Sequence, residues 1–274
     1  MPSKITYIKT HWGNKNEVND AAIAGFRLEG YSGLEVNVAA CSEKSEAIVE
    51  RLHANDFTFV AQQWLPPADE SVHQYIGRLK ANLDRIAGLH PKFINSHTGK
   101  DYFLFDENCR VIEVMKHFSK DTSIPVYHET HRGRFAFHAK TTLEYLVAFP
   151  DLEFTADFSH WCTVSESLLQ DQQQTLDRII PHVRYIHARV GYEHSPQVND
   201  PAAPEWDAHL QRFYGWWDSI IGSNKEAGRS EMYICPEFGP MPYMPSHPYT
   251  RVPITDQDGV NAWMLQQLKS RYAV

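Results

Sequence analysis

Short runs of β-branched and aromatic residues alternate with longer stretches in which apolar residues recur every three to four positions, and the alternation runs through all 274 residues. The short runs predict strands over 5–11, 34–38, 58–64, 92–97, 124–129, 153–157, 184–189 and 232–237. The longer stretches predict helices over 17–28, 43–55, 71–89, 106–119, 141–149, 168–180, 209–224 and 257–272. In the third of these, Val72, Ile76, Leu79, Leu83 and Ile86 form an apolar stripe, with Arg78, Lys80 and Asp84 between them. Eight successive strand–helix units without a break in composition predict an α/β fold, a closed (β/α)8 TIM barrel in one domain spanning 1–274. An open doubly wound sheet would need a glycine-rich phosphate loop after its first strand, and Thr10-His11-Trp12-Gly13-Asn14 is not one. Two connections, 190–208 and 238–256, are longer than the others and are expected to cover the C-terminal face; the second carries five prolines with Tyr243 and Tyr249.

Composition narrows the chemistry. With 26 Lys+Arg against 34 Asp+Glu the net charge is −8, which argues against a polyanion-binding surface and so against a nucleic-acid partner. No apolar run reaches the roughly 18 residues of a membrane span, and the first residues lack an apolar signal region, so the expectation is a cytoplasmic protein with no membrane partner. Cys41, Cys109, Cys162 and Cys235 are too widely separated for a zinc or redox pair and read as reduced thiols. Fifteen histidines are many for this length, and histidine is both a metal ligand and an acid–base group.

Active sites of such barrels form at the C-terminal strand ends, and there the residues are polar. Strand five ends in Glu129, strand six in Asp157, strand seven reaches His187, and strand eight ends in Glu237. Adjacent strands lie about 4.8 Å apart, so four consecutive strand ends can converge on one ion. Alternation places Glu129 on a face with Tyr127 and His131, His187 with Arg189, and Glu237 with Cys235 and Tyr233. Three buried carboxylates repel one another unless a cation joins them, and an oxygen-rich set with one histidine suits Mn²⁺ or Mg²⁺, with Co²⁺ or Zn²⁺ as alternatives.

The ordered set Glu129, Asp157 with His160 three residues on, His187 with Arg189 two residues on, and Glu237 before an aromatic residue and glycine resembles the xylose-isomerase-like barrel superfamily. Within it the resemblance is to the sugar phosphate isomerase/epimerase branch, with ketose 3-epimerases as its best-understood members. It implies that Glu129, Asp157, His187 and Glu237 bind one divalent metal ion, usually Mn²⁺, and that His160 and Arg189 hold substrate oxygens. Ser96-His97-Thr98-Gly99 looks like the family's HxG element, which turns His97 to the pocket. Strands one to three show no equivalent of the family's substrate-binding carboxylate, and the run ETHRGR from Glu129 to Arg134 departs from the family pattern. The resemblance leaves room for a homo-oligomer through the outer helices.

The expected reaction is isomerisation or epimerisation of a sugar or sugar phosphate. The metal would acidify a proton next to a carbonyl and stabilise the ene-diolate, while Glu129 and Glu237 act as acid and base on opposite faces. His131 joins the substrate-binding candidates, as do Trp12, Trp64 and Phe238, whose rings could stack on a sugar; Trp161 and Tyr243 are similarly placed. His11, Gln62 and Gln63 are further hydrogen-bonding candidates, and Arg132 and Arg134 could hold a phosphate or carboxylate. Trp216 and Trp217 sit at helical spacing and read as core or subunit contact. Alternatives are a dehydratase or lyase on a keto-polyol or 3-keto-glycoside using the same site, an endonuclease-IV-like phosphodiester hydrolase, and a non-catalytic sugar-binding barrel.

Overall fold

Strands buried on both faces are apolar nearly throughout, and here they close on themselves. In the computed structural model, which describes residues 4–14, 16–38 and 42–273 and the side chains of all of these except 42–45, eight strands pair in chain order, all parallel. They are β1 (Lys4–Thr10), β2 (Gly33–Asn37), β3 (Thr58–Gln63), β4 (Phe93–Ser96), β5 (Val126–Glu129), β6 (Phe154–Ala156), β7 (Val183–His187) and β8 (Glu231–Cys235). β8 returns to β1 with Met232 beside Ile5 and Ile234 beside Tyr7. The fold is therefore the (β/α)8 barrel that the alternation predicts.

The surrounding helices are α1 (Asp20–Glu29), α2 (Ser42–Ala54), α3 (Val72–Ala87), α4 (Phe105–Thr122), α5 (Ala139–Ala148), α6 (Phe158–Ser165), α7 (Gln173–Ile179), α8 (Asp207–Glu226) and α9 (Gln257–Arg271). Their limits follow local chemistry. Asn19 caps α1 by accepting from Ala22 N at 3.0 Å, and Gly30, at φ 108°, ends it in the left-handed conformation that glycine adopts without a Cβ penalty. Ser71 and Gln74 form a reciprocal capping box that starts α3. Its buried stripe is Tyr75, Leu79, Leu83 and Ile86, with Val72 and Ile76 only partly covered, because the phenol of Tyr75 reaches inward to accept from Gly99 N at 3.0 Å. The helix predicted over 168–180 is shorter, α7 followed by a 3-10 turn over Ile180–His182, and a further helix that the periodicity does not show, α6, starts directly after β6, capped by Asp157.

Two apolar layers lie between barrel and helices, one around β2 to β4 and the other around β5 to β8. Trp161, Trp216 and Trp217 belong to the second layer, at 2% exposure or less. Inside the barrel Ile8, Val60, Phe93, Tyr185, Tyr233 and Cys235 pack together with Tyr127. The Phe93 ring lies 4.8 Å from Tyr127, 5.1 Å from Tyr185 and 4.8 Å from Tyr233, so an aromatic floor fills the barrel beneath the C-terminal mouth. Gly33 permits this filling, since a Cβ there would stand 2.5 Å from the Ile8 side chain. Burying each such side chain contributes about 1.5–3 kcal/mol. Cys109, Cys162 and Cys235 are unpaired thiols, and Cys41 lies outside the described residues. No described helix is long and apolar enough to cross a membrane.

Candidate metal centre

Above the aromatic floor the inward-facing positions turn polar. Glu129 is the last residue of β5, Asp157 the first after β6, His187 the last of β7, and Glu237 the second after β8. All four are at 3% exposure or less, and each offers a ligand atom such that the four atoms lie within 4.8 Å of one another. A divalent cation with ligand distances of about 2.0–2.2 Å holds opposed ligands about 4.4 Å apart, so the set closes on an ion with small shifts.

His187 reveals how the set is oriented. Its Nε2 lies 3.2 Å from Glu35 Oε2, on β2, while Nδ1 lies 2.9 Å from Glu237 Oε2 and 3.8 Å from Glu129 Oε2. Nδ1 has no hydrogen-bond partner among the described residues. With the ring proton on Nε2 and directed to Glu35, the Nδ1 lone pair faces two carboxylates, a repulsive arrangement that a cation between them reverses. Burial works against charge on His187, yet Glu237, Glu35 and Glu129 push its imidazole well above the usual value. The field at this ring calls for positive charge, and the residues present fit a divalent ion.

The other members are held from outside. Burial raises the Glu129 carboxyl, but His97 and His187 hold it well below the usual carboxylate range; Asn95 Nδ2 donates to its Oε2 at 2.8 Å, and His97 Nε2 lies 2.8 Å from the same oxygen. Asp157 accepts from the backbone and hydroxyl of Ser159 and contacts Arg189 Nη2; burial pushes it up to about 6 against the pull of Arg189. Arg189 Nη1 stands 3.5 Å from Glu237 Oε2, and Nη2 donates to His160 Nε2 at 2.9 Å. Its guanidinium thus spans two of the three carboxylates and one imidazole. Glu237 sits before two side-chain clamps: Asn261 pairs with both backbone groups of Phe238 at 2.9 Å, and Gln197 pairs with those of Gly239 at 2.7 and 3.1 Å.

A pocket of about 420 Å³ opens over this set, within the roughly 300–1,000 Å³ of small-molecule sites. Of the predicted substrate-binding residues, Trp12, Trp64, His97, His131 and Arg189 line it, together with Gln62 and Tyr243. His160 is fully buried behind His131, whose ring centre is 3.8 Å away, and His131 lies 4.6 Å from His97, so three imidazoles run along one wall. Burial holds both His131 and His160 well below the usual histidine value, aided by the charges around them. Phe238 is not at the wall; its ring is buried in the core, and its backbone is what the site uses. Gln63 points away from the pocket to Ser96. Tyr243, on the connection after β8, closes over Arg189, 4.8 Å from the guanidinium carbon, and packs edge-on to Trp12 at 4.9 Å.

The first three strands do carry one buried carboxylate, Glu35. It is buried at 2% exposure, bridges Gln62 and His187, and is raised by burial against the pull of His187. Its signal lies in the run GLEVN: a charge in the middle of an apolar strand, on the same face as Gly33 and Asn37. Asn95 is marked only in the same way, by its parity two residues before His97 on one face of β4.

The sequence matches no protein-family model, and no curated protein matches it. Solved structures do match over nearly the whole chain. A xylose isomerase-like TIM barrel protein from Mycobacterium smegmatis in complex with magnesium superposes with TM-score 0.62 at 13% identity, covering 98% of each chain. A D-psicose 3-epimerase, solved in the presence of D-fructose, gives 0.61 at 12% identity, covering 97% of this chain and 98% of that one. The 3-keto-D-glucoside 4-epimerase of E. coli gives 0.58 at 14%, covering 98% and 99%. The fold is that of the xylose isomerase-like TIM barrels.

Proposed function

We propose that this protein is a divalent-metal-dependent isomerase or epimerase of a sugar or sugar phosphate, working by proton abstraction next to a carbonyl. The observation that carries the reading is the buried cluster in which His187, with Nδ1 turned to Glu237 and Glu129, gathers with Glu129, Asp157 and Glu237 so that one ligand atom of each lies within 4.8 Å of the others. The epimerases among the structural matches have the same barrel, and the magnesium complex is of one such barrel. These four residues would hold a divalent ion, Mn²⁺ by preference, and its chemistry there would be that of a Lewis acid towards a carbonyl oxygen.

The remaining work falls to the chain's own groups. Glu237 and Glu129 enter from β8 and β5, three strands apart, so one removes the carbon-bound proton and the other returns a proton to the far face, which gives epimerisation. Arg189 beside Glu237 and His97 beside Glu129 fix the two carboxylates in place. His97 Nδ1, at the pocket wall and buried without a partner among the described residues, is available to a substrate hydroxyl group, and His160, behind His131, accepts from Arg189. Trp12, Trp64 and Tyr243 offer apolar faces to the C–H side of a sugar and exclude water.

The test is solvent deuterium uptake into a panel of ketoses and ketose phosphates with Mn²⁺ present. The expected result is incorporation by the wild type and none by Glu237→Gln. Undiminished exchange in Glu237→Gln would rule out the two-base scheme.

A further inference from the structure

The loops after β4 and β5 repeat one local design. His97-Thr98-Gly99-Lys100 and His131-Arg132-Gly133-Arg134 each begin with a pocket histidine, carry a glycine at positive φ in third place (65° at Gly99, 76° at Gly133), and end in a cation. Both cations are buried, Lys100 at 5% and Arg134 at 8% exposure. Neither forms an ion pair among the described residues. The Lys100 ammonium stands 5.7 Å over the Tyr75 ring, the guanidinium of Arg134 makes one long contact, 3.4 Å, to the carbonyl of its neighbour Gly133, and Arg134 Nε is buried without a partner. The acids that share their field are engaged elsewhere or in solvent: Glu70 pairs with Arg78 at 2.6 Å, Glu129 belongs to the metal set, and Asp101 is exposed.

The loops themselves are firmly built. Asn108 pairs with both the N–H and the carbonyl of Lys100, at 3.2 and 2.8 Å, and Phe135 N donates to Thr98 O at 3.1 Å, joining one loop to the other. Burial lowers the pKa of both cations, and the charge of Arg134 lowers that of Lys100 further. Buried cations are kept where an anion completes them, and guanidinium and ammonium groups suit carboxylate and phosphate oxygens.

We propose that Lys100 and Arg134 form an anion subsite beside the pocket that receives a carboxylate or phosphate group of the substrate. The inference rests on the metal-assisted sugar chemistry above and narrows its substrate to a sugar acid or a sugar phosphate. Metal-free protein titrated calorimetrically with inorganic phosphate, and separately with malonate, at ionic strength held constant with chloride, tests it. The expected result is saturable binding of one anion per chain, weakened at least tenfold in Lys100→Met and in Arg134→Met; preference for phosphate assigns a sugar phosphate, preference for malonate a sugar acid. Without added anion, Lys100→Met should melt no lower than the wild type, and it should lose the rise in melting temperature that the anion produces. If Arg134→Met does not fold, Lys100→Met and Lys100→Gln carry the comparison. Absence of saturable binding, or equal binding by the wild type and the charge-removing variants, overturns the subsite. Because the titration needs neither metal nor turnover, anion binding without deuterium exchange would count against the isomerase reading alone, and exchange on neutral ketoses without anion binding against the subsite alone.

Discussion

Single side chains decide whether the cluster at the barrel mouth holds an ion, and His187 is the pivot because its two nitrogens face different acids. Removing the charge of Glu35 loosens the ring without deleting a ligand. Glu35→Gln should therefore weaken Mn²⁺ binding by about 10- to 100-fold, the usual effect of losing an outer partner of a ligating histidine; a titration showing unchanged affinity would mean that Glu35 does not orient the ring. The four cluster residues were legible from strand ends, whereas Glu35 and Asn95 were not, because they lie inside strands and only their inward parity marks them. His128 gives a prediction of another kind. It faces the helical layer beside Thr98 and Phe135, and burial pushes it down to about 3 from 6.5. Below pH 6.5 the unfolded chain takes up a proton that the folded chain excludes, so stability falls as pH drops from about 6.5 towards 3. One such proton is worth about 1.4 kcal/mol per pH unit. Between pH 7 and 5 the wild type should lose about 2 kcal/mol more stability to urea unfolding than His128→Gln, and equal losses would show that His128 is protonated in the fold.

At the scale of elements, the barrel was readable because each strand and helix declares its period, while the join between β6 and α6 was not. Asp157 serves as metal-ligand candidate and as N-cap of an eight-residue helix that is too short and too apolar to show a helical period. The clamps behind Glu237 were also beyond the sequence, since Asn261 and Gln197 are 24 and 40 residues away from it and meet it only through the closed barrel. Asn261→Ala leaves Phe238 N without its partner and Phe238 O with Gln257 Nε2 alone, at 3.0 Å, which should cost about 1–3 kcal/mol in unfolding free energy and slow deuterium exchange while the cluster residues remain. Unchanged stability and unchanged exchange together would mean that the strand-eight connection holds itself. Gly99 is equally constrained: a Cβ would stand 2.2 Å from Asn108 Oδ1 at a φ of 65°. Gly99→Ala should lower stability by more than about 1 kcal/mol in the same unfolding assay.

On the scale of the whole molecule, the chain gathers three carboxylates and one oriented histidine over an aromatic floor, at the end of the barrel where its loops form a pocket. Such a concentration of buried negative charge is a cost to the folded state that a bound cation converts into stabilisation, so Mn²⁺ in excess of its dissociation constant should raise the melting temperature of the wild type. A second group, His97, Glu129 and His131, shares one carboxylate with the first, and the number of ions bound therefore discriminates between a single-ion centre and a multinuclear hydrolase centre. The most direct measurement is the metal content per chain, by elemental analysis after incubation with Mn²⁺ and desalting, of the wild type, His187→Ala and Glu237→Gln. One ion per wild-type chain, lost or sharply reduced in both variants, is the predicted result; no ion, or two or more ions that survive both substitutions, would contradict it.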